Sequence, residues 1–145
     1  NSGKLVKEAG SGGLDIVNSI ISTLQGHLGE ARSYLDKGDA IHASENIYKV
    51  VENVLRHWLS TIKSQDLKST EVGYISTWFL GSATRTLAEK LSEPRIEYVW
   101  NIAYDIHIWV FHEAKYSIDE IRTDVRRTEW LLDFTKQVLN QEKHT

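Results

Sequence analysis

Residues 95–115, RIEYVWNIAYDIHIWVFHEAK, limit more than any other stretch what this chain can fold into. At about 100° per residue, Trp100, Ala103, Tyr104, His107, Phe111 and Ala114 fall on one helical face. Val99, Ile102, Ile106 and Val110 cover the adjacent flank. Only Asn101, Asp105 and His112 make a narrow polar strip, and Glu113 sits alone among isoleucines. A helix apolar almost all round is expected at the centre of a domain, buried on more than one side. The rest of the chain is therefore expected to pack around it.

The flanking segments carry the same helical period. A first helix is expected from about Leu14 to Leu35, with Val17, Ile21, Leu24, Leu28 and Ala31 on its stripe. Asp36-Lys37-Gly38-Asp39 ends it: Gly38 suits the left-handed position and Asp39 can cap the next helix. So short a link makes the first two helices antiparallel neighbours. The second helix is expected from Ala40 to about Lys63, striped by Ile47, Val51, Val54, Leu55, Trp58 and Leu59. Residues 64–75 read as an irregular connection, long for a bundle. A third helix is expected over Thr77–Leu91, with Gly81 a candidate break in its first turn. Ser92-Glu93-Pro94 stops it and starts the central helix, which should run to about Tyr116. Ser117-Ile118-Asp119-Glu120 is a capping box, so a last helix begins there. The expected architecture is an all-α, antiparallel up-and-down bundle of four to five helices. Residues 1–13 are expected to be a flexible segment, 14–141 the single domain and 142–145 a frayed tail.

Composition narrows the class. The 145 residues contain no cysteine, which excludes disulfides and thiolate zinc sites and fits a reducing, cytoplasmic setting. No apolar run reaches the length of a bilayer span, so no membrane role is expected. The net charge of −3, with both signs interspersed, gives no general pull toward nucleic acid. Arg122, Arg126, Arg127 and Lys136 alternate with Asp119, Asp124, Glu129 and Asp133, as on a salt-bridged solvent face. Trp109 and Trp130 fall off the main stripes, which points to a second helix–helix surface or a subunit interface.

Several polar residues stand where apolar ones belong. Ser44 and Tyr48 lie in the stripe of the second helix and His107 on the apolar face of the central one. Buried polar groups need partners, so these three are expected to bond together or to line a pocket. Asp105 and His112 are seven residues apart, about 10 Å along a helix, too far to share a metal. No metal and no cofactor is expected. His27, beside the first stripe, reads as a core or boundary residue. No phosphate loop, GxSxG elbow or paired-histidine zinc motif is present.

Two segments carry a family resemblance. Residues 39–49, DAIHASENIYK, resemble the ASEKxYK signature of the archaeal PaREP family. Trp100, Ala103, Ile106-His107 and Phe111-His112-Glu113 resemble its A-x-x-L-H-x-x-x-F-H-E stretch. The family is similar in fold to HEPN domains and to substrate-binding subunits of bipartite nucleotidyltransferases. The resemblance implies a helical bundle, dimerisation, and an association with nucleotide or RNA biology. It also implies a shared polar frame of Ser44, Glu45, Tyr48, Lys49, His107, His112 and Glu113. HEPN ribonucleases carry Arg-x(4–6)-His, and no histidine here has an arginine five to seven residues before it. The expected function is therefore binding and not catalysis: a homodimeric module for a partner protein, of nucleotidyltransferase type or other, or for a nucleotide or RNA-type ligand. The alternative is a hydrolase or nuclease using His107, His112, Glu113 and Glu45 between helices two and four.

Overall fold

A computed structural model of the chain describes the backbone of residues 2–66, 77–109 and 116–144, and the side chains of residues 18–60, 79–109 and 116–138. Five helices occur in order: α1 (Ser2–Asp36), α2 (Ala40–Asp66), α3 (Thr77–Lys90), α4 (Arg95–Trp109) and α5 (Ile118–His144). Among the described residues there is no strand. The helix α1 begins at Ser2, well before the expected Leu14, and takes in the Gly/Ser cluster. Glycine within a helix costs only about 1 kcal/mol per residue and does not forbid it.

The links arise from local chemistry. Gly38 adopts φ 79°. Its N–H bonds the carbonyl of Leu35 at 3.0 Å, and the Asp39 N–H bonds that of Tyr34 at 2.8 Å. That is a Schellman closure of α1. The Asp39 carboxylate then accepts the His42 N–H at 3.1 Å and caps α2. At the other tight link Ser117 and Glu120 form the capping box, each side chain bonding the other's N–H at 3.2 Å.

Cross-helix contacts give the directions. Arg32 pairs with Glu129, and Asp36 with Arg122, so α1 and α5 are antiparallel. Arg95 stacks over Trp130, and Arg127 over Tyr98, so α4 and α5 are antiparallel too. With the α1–α2 hairpin, the helices α1, α2, α4 and α5 alternate up and down. The shorter α3 is antiparallel to α4: Arg85 bonds Glu97, and Gly81 sits against Trp100. It therefore runs in the same sense as α2. Gly81 does not break α3. A Cβ there would stand 3.2 Å from the Trp100 indole nitrogen, so glycine lets the two helices approach.

The centre of the bundle is α2, not the stretch expected to hold it. All four other helices pack against α2. Its buried side includes Ile47, Val50, Val51, Leu55, Trp58 and Leu59. The Trp58 indole N–H reaches the Thr135 hydroxyl at 2.8 Å and ties α2 to α5. One arc of α4 is core, with Ile96, Val99, Trp100, Ala103 and Ile106 all buried. The opposite arc leaves Tyr98, Tyr104, Ile108 and Trp109 between 39% and 50% exposed. An apolar circumference shows that a surface can be covered, and the described helices cover only half of this one. Residues 110–115, with Phe111 and the expected end of the central helix, lie outside the described residues. So do residues 67–76 of the long connection.

Candidate functional site

The polar residues of α2 sort onto two sides. Tyr48 faces α4, where its ring stacks on His107 with centroids 4.0 Å apart and planes 10° from parallel. Trp100 and Tyr104 flank the same ring at 5.9 and 6.3 Å. The Tyr48 hydroxyl donates to Glu52 at 3.2 Å, and Arg56 bonds the same carboxylate at 3.3 Å. Ser44 is fully buried one turn before Tyr48. Neither its hydroxyl nor His107 Nδ1 has a hydrogen-bond partner among the described residues. Tyr48 and His107 thus come together by stacking, and the hydrogen-bonded Ser44–Tyr48–His107 cluster does not form. Aromatic stacking satisfies the ring faces of an imidazole while leaving its nitrogens unused.

Of the remaining frame residues, Glu45 is exposed on α2. His112 and Glu113 lie outside the described residues. Among the described residues, no group of three or more His, Cys, Asp or Glu side chains could hold a metal ion.

Asp124 is a correction. Expected on the solvent face of the last helix, it is completely buried in α5 beside Val125. Neither of its carboxylate oxygens has a hydrogen-bond partner among the described residues. Burial pushes its pKa up to about 7, and the Arg127 guanidinium partly opposes that. That guanidinium lies 3.9 Å from the carboxylate. The signal was present in the spacing: Asp124 falls three residues after Ile121 and seven before Leu131, both core positions.

The other side of α2 faces α1 across an open groove of about 510 Å³. Lys49 and Arg56 line it from α2, together with Asn53 and His57. His27 and two hydroxyl residues, Ser19 and Thr23, line it from α1, over the aliphatic Ile20 and Leu24. His57 Nε2 is buried with no hydrogen-bond partner among the described residues, and the ring also borders a small hollow toward Thr135. Lys49 therefore parts from Tyr48 and His107 and joins residues the sequence did not single out. His57 comes three residues after Val54 and seven after Val50, which places it at the edge of the α2 stripe. His27, expected at a core boundary, is half-buried at the groove wall.

With this geometry in view, comparison with known proteins gives two results. The model of the archaeal PaREP1/PaREP8 family matches residues 20–132. A crystal structure of a protein from Sulfolobus solfataricus is similar, with a TM-score of 0.66, covering 80% of this chain and 95% of that one at 24% identity. At that identity the likeness concerns the fold alone. No curated protein matches the chain.

Proposed function

Because the chain belongs to the archaeal PaREP1/PaREP8 family, we propose that it is a non-catalytic, HEPN-like binding module that works as a homodimer through the exposed face of α4. The observation that carries this reading is the arc of Tyr98, Tyr104, Ile108 and Trp109, all exposed on a helix whose other arc is core. Tyrosine and tryptophan are the side chains enriched at the buried centre of subunit interfaces. Ile41 is also exposed, two turns before Tyr48 on the same side of α2. A two-fold axis sets such a patch against itself, so one surface serves both copies.

Within this reading the stacked Tyr48–His107 pair is a structural brace between α2 and α4. The ligand is of nucleotide or RNA type or a nucleotidyltransferase-type partner protein, met in the cytoplasm. No helix among the described residues is long and apolar enough to cross a membrane. The test is sedimentation equilibrium at about tens of micromolar, a range that captures ordinary interfaces. The wild type should sediment as a dimer. Ile108→Glu and Tyr104→Glu should each give monomers with unchanged far-ultraviolet dichroism. A monomeric wild type, or a dimer that survives both charges, overturns the proposal.

A further inference from the structure

From the lining of the α1–α2 groove we infer that it binds a phosphate monoester of nucleotide size, held at its charged end by Lys49. Acidic residues outnumber lysine and arginine in this chain, 20 to 17. Yet among the described residues no carboxylate lines the groove. Two carboxylates reach its lining residues from outside: Glu30 sits 3.8 Å from His27, and Glu52 bonds Arg56, which leaves Lys49 as the cation the groove offers. The comparable hollow between α1 and α5 is different, because Glu129 and Asp133 line it beside Arg32. Its carboxylates, part of the lining itself, repel an anion.

Three further features fit a phosphate ester in the α1–α2 groove. Lys49 is exposed and in no ion pair among the described residues, so its ammonium is free to meet a phosphate. Ile20 and Leu24 give an aliphatic floor that a nucleobase can cover. The volume of about 510 Å³ lies in the range of small-molecule sites.

This inference rests on the protein being a binding module and is independent of dimerisation. Isothermal titration of the full chain with AMP, adenosine and inorganic phosphate, in metal-free buffer at fixed ionic strength, tests it. AMP should bind at least about tenfold more tightly than adenosine, the scale of one charge-assisted contact. Lys49→Glu should weaken AMP by about tenfold or more and leave adenosine unchanged, while Lys49→Arg stays within about threefold of the wild type. No binding of AMP, equal binding of AMP and adenosine, or an unchanged Lys49→Glu each overturns the site. Because Lys49 lines the α1–α2 groove and is not part of the exposed α4 arc, sedimentation of Lys49→Glu reports separately on the dimer. A failed site with an intact dimer leaves the module reading standing.

Discussion

At the scale of single residues, Asp124 has the clearest consequence. A carboxylate closed off from water with no hydrogen bond among the described residues is better neutral than charged, hence its pKa near 7. Its ordinary value is 3.8, so the folded state holds a proton that the unfolded chain has released between about pH 4 and 7. Stability should fall as pH rises through that window, by at most about 1.4 kcal/mol per unit. Above about pH 7 both states are ionised and the loss levels off. Asp124→Asn keeps the shape and removes the charge. It should abolish this slope and exceed the wild type by about 1–4 kcal/mol at pH 8, with little difference near pH 4. Urea unfolding at pH 4.5 and 8 decides this (about the two ends of the window). A variant less stable than the wild type at pH 8 would mean that the carboxylate finds a compensating partner. The Tyr48–His107 stack belongs to the same scale: it joins two helices through ring faces, so its worth lies in shape and not in proton transfer.

At the scale of helices, the two tight turns solve one problem with different residues. After α1 the left-handed position is Gly38; after α3 it is Ser92, with φ 52°. The hydrogen bonds are alike, since the Glu93 N–H reaches Ala88 at 2.9 Å and the Ser92 N–H reaches Glu89 at 3.2 Å. A side chain in that conformation costs about 1 kcal/mol that glycine avoids. Ser92→Gly should therefore stabilise the domain by about 0.5–1 kcal/mol, offset in part by the freer unfolded chain. Chemical denaturation reads this directly, and a destabilised Ser92→Gly would show that the hydroxyl does more than tolerate the turn. Gly81 is the opposite case. Its backbone is helical, and it is small because the Trp100 indole packs against it.

At the scale of the molecule, α2 organises the domain and α4 gives it an outward apolar face. One arc of α4 is wholly apolar and buried, while the other mixes aromatic and aliphatic side chains with Asn101 and Asp105 and stays exposed in part. Trp130, expected at a second helix–helix surface or a subunit interface, lies at the α4–α5 contact, between Phe134 and the Arg95 guanidinium. That leaves Tyr104 and Ile108 on one flank of the outer arc of α4, and Tyr98 and Trp109 on the other, as large apolar side chains exposed among the described residues. If two copies bury them, folding and association are linked by mass action. The melting temperature should then rise with protein concentration for the wild type and stay constant for Ile108→Glu, as differential scanning calorimetry over a hundredfold range (about 2–3 kcal/mol of linkage) would show. A concentration-independent wild-type melting temperature would count against the dimer.

What the sequence determined by itself is the part governed by local physics. The Gly38–Asp39 closure and the Ser117–Glu120 capping box depend on residues within one or two turns and appear where their spacing puts them, and the helical period gave five helices, though α1 starts twelve residues before its stripe. The fold class is a consequence of those, and so is the buried arc of Ile96, Val99, Trp100 and Ala103. Which apolar arc is covered depends on partners far away in the chain, and periodicity carries no information about them. The tertiary structure alone therefore decided that α2 and not α4 is central. It decided that the Asp124 carboxylate meets no hydrogen-bond partner among the described residues and that α1 sets His27 across the groove from Lys49 and His57. In each case the deciding quantity is the distance between groups on different helices, set by how five amphipathic surfaces pack together.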